Sequence, residues 1–173
     1  MKTTDDQKEL LIVVDPDDNI IGYHTRRECH LDKSLIHRVV GLLIYNSKGQ
    51  ILLQKRSNTK DLQPGKWAIG VGGHVTKGQT YEQALKRETF EELGISTRFT
   101  FIKKWIIYSP EESEMSSLYR AISDGPFKTD PKEISRIRFF DIDDIAHLVA
   151  TGRLELSDCA RITLIEIGIL PRI

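Results

Sequence analysis

The chain has 173 residues, of which 39% are hydrophobic and 29% are charged, and its 25 basic residues balance its 25 acidic ones. This length and composition are typical of one globular domain, and a neutral charge balance gives no support for nucleic acid or an anionic membrane surface as a partner. The longest apolar run, residues 39–45, is far too short to span a bilayer, and no secretory signal is visible.

Several segments have the β-branched and aliphatic pattern of strands, with turn residues between them. They are residues 11–14, 20–23, 38–45, 50–56, 67–71, 98–108, 115–123 and 136–140. The first two predict an N-terminal hairpin (about residues 10–24), and the next two predict a second hairpin. The polar residues 1–9 are expected to be a flexible tail, so that residues 10–173 form a single domain.

Helices are predicted from capping residues and apolar periodicity. The central helix begins at Thr80, which can form a capping box with Gln83, and it ends before Gly94. Two further helices follow the last strand, with Asp141 and Ser157 as their N-caps. Strands on both sides of one central helix predict a mixed α/β domain.

The central helix carries carboxylates on its apolar face. At about 100° per residue, one stripe contains the following side chains: Tyr81, Ala84, Leu85, Glu88, Glu91 and Glu92. The carboxylates repel one another and resist burial unless a cation lies among them. A solvated acidic surface, with Arg87 pairing to Glu91, is the usual alternative, but here the acidic residues lie on the apolar side behind a glycine-rich loop. We therefore predict a site for a hard divalent cation such as Mg²⁺.

The segment from Gly73 to Ile95 resembles the Nudix box. The pattern is Gly, five residues, Glu, seven residues, Arg-Glu, an apolar residue, any residue, Glu-Glu, any residue, Gly and an apolar residue. It is matched by Gly73, Arg87, Glu88, Glu91, Glu92, Gly94 and Ile95. Gln79 replaces the first Glu, and Thr89 stands at an apolar position. The resemblance to Nudix hydrolases implies an α/β/α sandwich with a mixed sheet and a loop-helix Nudix motif.

The resemblance also implies a metal site and a reaction. Mg²⁺ or Mn²⁺ would be held by the Gly72 carbonyl, Glu88, Glu91 and Glu92. Arg87 would support the loop and helix, and Gln79 would hydrogen-bond it without the charge assistance of a carboxylate. Such a site suits attack of water on a diphosphate, with a carboxylate accepting the proton.

Residues outside the box resemble the isopentenyl-diphosphate-isomerase-like branch of this superfamily. Arg56 and Lys60 match positions that hold a substrate diphosphate. The isomerase's own metal site is matched by His30, His37, His74, Glu112 and Glu114. These residues are a candidate second site for Mn²⁺, Zn²⁺ or Mg²⁺, and the alternative is a structural role for His37 and His74 and a solvated Glu112. Glu114, beside a strand, is the loop carboxylate expected to act in catalysis.

Isomerase activity is disfavoured, because the isomerase needs a cysteine at the position of Gly72. Cys29 and Cys159 match nothing, and their spacing is not that of a metal site, so a reduced, cytoplasmic setting is expected. The interpretation is a metal-dependent hydrolase of a small-molecule diphosphate, namely a nucleoside diphosphate linked to another group. A catalytically weak module that binds a nucleotide or diphosphate, favoured by Gln79, is the alternative. A homodimer through the N-terminal hairpin is left open.

Overall fold

The computed structural model describes residue 3 and residues 5–172. In chain order, the strands and helices are β1 (Leu10–Val14), β2 (Ile20–Thr25), α1 (Arg26–Leu31), β3 (Ile36–Tyr45), β4 (Ile51–Arg56), β5 (Trp67–Ile69), β6 (Val71–His74), α2 (Tyr81–Leu93), β7 (Thr100–Tyr108), β8 (Ser113–Ile122), β9 (Ile134–Phe140), α3 (Ile142–Ala150) and α4 (Asp158–Glu166).

Strand β3 is the centre of a mixed sheet. Its sequence is almost continuously apolar, as expected for a strand that is covered on both faces. It runs parallel to β8 along its whole length and antiparallel to β1 and β6. The hairpin to β4 closes with the pair Tyr45 and Ile51, after which β4 pairs with β5 and β9.

The two faces of the sheet support separate helical layers. Leu42 of β3 packs in a buried cluster with Leu85 of α2, whereas its neighbour Leu43 packs in another cluster with Ile145 of α3 and Leu164 of α4. Successive side chains of a strand point to opposite faces, so this alternation places α2 on one side and α3 and α4 on the other. The predicted α/β/α sandwich with a mixed sheet is confirmed.

Local differences from the sequence prediction have physical reasons. The predicted strand at residues 67–71 is interrupted at Gly70, where a Cβ atom would lie 2.9 Å from the Leu42 carbonyl oxygen. Helix α1 was not predicted, because six residues are too few to show a helical period. Its signal was the capping box between Thr25 and Glu28, which the structure contains. Within the described residues, no helix is both long and apolar enough to cross a membrane.

Candidate active site

Helix α2 presents two carboxylates to strand β6, of which Glu92 is buried and Glu88 is 13% exposed. The predicted capping box is present, because the Thr80 hydroxyl accepts from the Gln83 N–H and the Gln83 side chain accepts from the Thr80 N–H. Gly94 ends the helix in the left-handed conformation, with φ of 66°. Both ends of the helix are therefore set by its sequence, and Glu88 and Glu92 are directed at the glycines of β6.

Glu88 and Glu92 lie against different glycines of β6. A Cβ atom on Gly73 would lie 2.1 Å from Glu88 Cδ, so a side chain there would occupy the same space as the carboxyl group. Glu92 Oε2 accepts a hydrogen bond from Gln54 Nε2 at 3.0 Å and a longer one from the Gly72 N–H at 3.4 Å.

Burial makes these carboxylates costly to ionise without a cation. Burial raises the pKa of Glu88 to about 7, with Glu91 adding to the shift and Arg87 opposing it. Burial, and then the charge of Glu88, also raises the pKa of Glu92. An added cation would relieve both effects, and the donors are oxygen atoms, as Mg²⁺ and Mn²⁺ prefer. The site therefore fits a divalent cation.

Arg87 ties helix α2 to the loop before it. Its Nη2 donates to the His74 carbonyl at 3.0 Å and lies 2.8 Å from Glu88 Oε1. The contact to Gln79 Oε1 is long, at 3.5 Å. Arg87 Nη1 also bonds Glu91 at 2.9 Å, and the Glu91 side chain is 54% exposed. Glu91 thus borders the cavity but is turned toward Arg87, in the pairing that the sequence offered as an alternative.

The predicted diphosphate-binding residues lie in the same cavity, but both have partners within the chain. Arg56 donates through Nε and Nη2 to the Leu62 carbonyl, at 3.1 and 2.9 Å. Lys60 is 8% exposed and pairs with Glu133 at 2.6 Å and with Asp5. A diphosphate would have to replace or share these contacts.

The segment predicted to be a flexible tail, residues 1–9, contributes Asp5 to this cavity. Its side chain is 2% exposed, lies 3.3 Å from Arg26 Nη2 and accepts from the Asp61 N–H at 2.8 Å. No local sequence pattern predicts these contacts, because the partners are far away along the chain. Residues 1, 2 and 4 of the segment lie outside the described residues.

Three histidines and a glutamate meet beside the glutamates of α2. His30 Nε2 lies 3.4 Å from His74 Nε2 and 3.2 Å from Glu112 Oε2, and His37 Nε2 lies 3.4 Å from the same carboxylate oxygen. One ligand atom from each of the four residues lies within 4.8 Å of the others. His37 is fully buried, and neither of its ring nitrogens has a hydrogen-bond partner among the described residues. This donor set could hold a divalent cation.

Residues behind the histidines fix their orientation. Asp61 lies 3.2 Å from His30 Nδ1, which leaves Nε2 directed at the cluster. Arg26 Nη1 lies 3.3 Å from His74 Nδ1. Burial, followed by the charge of Arg26, lowers the pKa of His74 and favours the neutral ring that a metal requires.

Glu114, the fifth residue matched to this site, belongs to a different group. It pairs in register with His37 across β3 and β8, but the potential ligands within 4.8 Å of its carboxylate are those of Glu112 and Cys159. Burial raises the pKa of Glu114 to about 8, and the charge of Glu112 adds to the shift. Cys159, which matched nothing in the sequence, borders the same cavity from the first turn of α4.

One cavity of about 430 Å³ is bordered by the following site residues: Glu88, Glu91, Glu92, Arg56, Lys60, His30, His74, Glu112, Glu114 and Cys159. The structure therefore brings together the glutamates of α2, the two basic residues and the second group of potential ligands. It adds residues that sequence reasoning missed, notably Asp5, Arg26, Asp61 and Cys159.

Comparison with known proteins agrees with this geometry. Residues 35–158 match the model of the NUDIX domain. A Nudix hydrolase of Yersinia pestis, described as uncharacterised, is 33% identical over 131 residues, which cover 75% of this chain and 71% of that protein. An isopentenyl-diphosphate Delta-isomerase of Serratia proteamaculans is 30% identical over 142 residues, or 79% of each chain. A crystal structure from Deinococcus radiodurans matches with a TM-score of 0.77 and 29% identity over 89% of this chain and 96% of that one.

Proposed function

Since the chain belongs to the Nudix family, we propose that it is a metal-dependent hydrolase of a small-molecule diphosphate, namely a nucleoside diphosphate linked to another group. The observation that carries the proposal is a pair of carboxylates, the buried Glu92 and the largely buried Glu88, in one cavity with Arg56 and Lys60. The first pair suits a cation, and the second suits the phosphates that the cation would meet.

A divalent cation would be held by Glu88, Glu92 and the Gly72 carbonyl, and it would neutralise phosphate charge and make a nearby water more acidic. Glu91 would join the ligands after leaving Arg87. Gln54 keeps Glu92 oriented through its 3.0 Å hydrogen bond. Gly73 leaves room for Glu88, so that both carboxylates are in place before substrate binds.

In the reaction, the water oxygen attacks one phosphorus, and the bond from that phosphorus to the bridging oxygen breaks. One proton of the water passes to a carboxylate, and the leaving phosphate takes the electron pair of the broken bond. Lys60 and Arg56 hold the phosphate oxygens and stabilise the charge that develops on them. Glu112 and Glu114 are further buried carboxyl groups in the cavity, and we assign proton transfer to Glu114.

Isomerisation of isopentenyl diphosphate is not supported by the position of the cysteines. Gly72 stands where that reaction needs a thiol, and Cys29 packs with Leu11 and Val13 in an apolar cluster. Cys159 does reach the cavity, but its thiol lies against Glu114. Isopentenyl diphosphate is therefore added to the substrates of the activity screen, and no conversion of it is expected.

The test is a screen of nucleotide-linked and sugar-linked diphosphates with Mg²⁺ or Mn²⁺ in ¹⁸O-labelled water. One ¹⁸O atom should appear in one of the two phosphate products by mass spectrometry, which also identifies the bond that breaks. Glu88→Gln and Glu92→Gln should each lower kcat by about 10²- to 10⁴-fold. Glu82→Gln, on the exposed first turn of the same helix, is the matched control and should keep wild-type turnover.

Two results would contradict the proposal. Full turnover by both glutamine variants would remove the assigned role of the carboxylates. Tight, metal-dependent binding of one compound without any product would instead support the binding module.

A further inference from the structure

A thiol and two carboxyl groups meet at the edge of the cavity. All three residues lie outside the Nudix box in the sequence. Glu112 immediately precedes β8, Glu114 is the second residue of β8, and Cys159 is the second residue of α4. One ligand atom from each lies within 4.8 Å of the other two. The strand and the helix that carry them come from distant parts of the chain, so the fold itself assembles the group.

Glu112 belongs to this group and to the histidine cluster as well. Its Oε2 atom is buried and accepts no hydrogen bond of acceptable geometry within the part of the chain that the structure describes, although two histidine nitrogens lie 3.2 and 3.4 Å away. A buried carboxylate oxygen without a donor costs free energy. Cations on the two sides of Glu112 would remove that cost.

We propose that Glu112, Glu114 and Cys159 form a binding position for a thiophilic divalent cation such as Zn²⁺ or Co²⁺, next to the histidine cluster and sharing Glu112 with it. A cation bound there would make Glu114 a ligand and withdraw it from proton transfer. The position is separate from the oxygen-only site of Glu88 and Glu92. A thiolate ligand favours Zn²⁺ and Co²⁺ over Mg²⁺, since Mg²⁺ prefers oxygen.

The cation-free arrangement is consistent with this assignment. The Cys159 sulfur and a carboxylate oxygen of Glu114 lie within 4.8 Å of each other. A cation that binds here takes the place of the thiol proton between sulfur and oxygen. Binding therefore releases that proton to solvent, together with the Glu114 proton where this group is protonated.

The other cysteine provides a matched control. Cys29 is completely buried in an apolar cluster with Leu11 and Val13, and burial raises its pKa to about 12. It belongs to none of the potential ligand groups found among the described residues. A signal that needs a metal–sulfur bond should depend on Cys159 and not on Cys29.

The test is a Co²⁺ titration of the metal-free, full-length protein in excess Mg²⁺, followed by near-ultraviolet absorption. Wild type and Cys29→Ser should develop the thiolate-to-cobalt charge-transfer band, and Cys159→Ser should lose it. Glu88→Gln should keep the band, so the result does not depend on the hydrolase proposal. No band in wild type, or an unchanged band in Cys159→Ser, would overturn the proposal.

Thiol alkylation tests the same position without a substitution. Zn²⁺ should slow modification of Cys159 by iodoacetamide by about tenfold or more in wild type under mildly denaturing conditions that expose both thiols, as mapped by peptide mass spectrometry. The rate for Cys29 should change less. Equal protection of both thiols would indicate general stabilisation of the fold and would count against the proposed ligand role.

Discussion

The carboxyl group of Glu88 fills the space that the missing side chain of Gly73 leaves open. A Cβ atom on Gly73 would lie 2.1 Å from Glu88 Cδ and 2.2 Å from Oε1, so Gly73→Ala must displace the carboxyl group. Because a 1 Å misplacement in an active site can cost about 10²-fold, we expect kcat/KM to fall by about that factor. Steady-state kinetics on the substrate identified by the screen provide the measurement.

Gly22→Ala is the control for this substitution. A Cβ atom there would make only ordinary contacts, 3.7 Å from the His24 ring. Its activity and thermal midpoint should match wild type. If Gly73→Ala also kept wild-type kcat/KM, the placement of Glu88 would not matter for turnover.

The pH dependence of stability should reveal the buried carboxyl groups. The pKa of Glu88 is raised from 4.5 to about 7 and that of Glu114 from 4.5 to about 8, both chiefly by burial. Between pH 4.5 and these raised pKa values, the folded protein therefore binds more protons than the unfolded chain. Its stability falls as the pH rises through this range. The lowered pKa of His74 has the opposite effect, because it makes stability rise with pH up to the ordinary pKa of 6.5. The effect of the carboxyl groups is therefore best measured between pH 6.5 and 8.

Thermal unfolding of metal-free protein measures this effect. The midpoint should fall from pH 6.5 to 8, less steeply in Glu88→Gln, and Mg²⁺ or Mn²⁺ should restore it at pH 8 because a cation replaces the lost protons. A rising midpoint over this window, without metal, would show that the carboxyl groups ionise freely in the fold.

The contact between Asp5 and Lys60 should weaken substrate binding. The Asp5 carboxylate competes with a diphosphate for the Lys60 ammonium, which also pairs with Glu133. Asp5→Asn removes the charge but keeps an oxygen acceptor, so KM should fall several-fold while kcat changes little. Asp17→Asn, at an exposed turn, is the matched control. A higher KM in Asp5→Asn would mean that Asp5 positions Lys60 rather than competing for it.

Local chemistry made part of this site predictable. The capping box at Thr80 and the helical period placed Glu88 and Glu92 on the face that meets the sheet, because both signals act within one or two turns. The bond from Gln54 to Glu92 spans 38 residues, and it depends on how α2 lies across β4. No local pattern specifies that packing.

The same reasoning explains the residues that were missed. Cys159 reaches Glu114 only because α4 packs against the sheet, and a two-cysteine count without metal-type spacing gave no reason to expect it. The Asp5 contact to Asp61 spans 56 residues, from a polar segment that resembles a tail in composition. The composition of a segment indicates whether it can fold by itself. The contacts of Asp5 depend instead on charged residues in the rest of the domain.

Gln79 is the departure from the Nudix box that the structure allows us to test directly. Its Oε1 accepts from the Thr76 hydroxyl at 2.7 Å, but lies 3.5 Å from Arg87 Nη2. In Gln79→Glu, the carboxylate keeps the Thr76 bond and adds a charged acceptor for Arg87, worth about 0.5–1 kcal/mol at this half-buried position. The thermal midpoint should rise by about 1–4 °C for a chain of this size.

In an Arg87→Gln background the same substitution should give no gain, because its partner is absent. An equal gain in both backgrounds would show that the added charge acts on another group, and a loss in wild type would show that repulsion from the neighbouring glutamates outweighs the bond to Arg87.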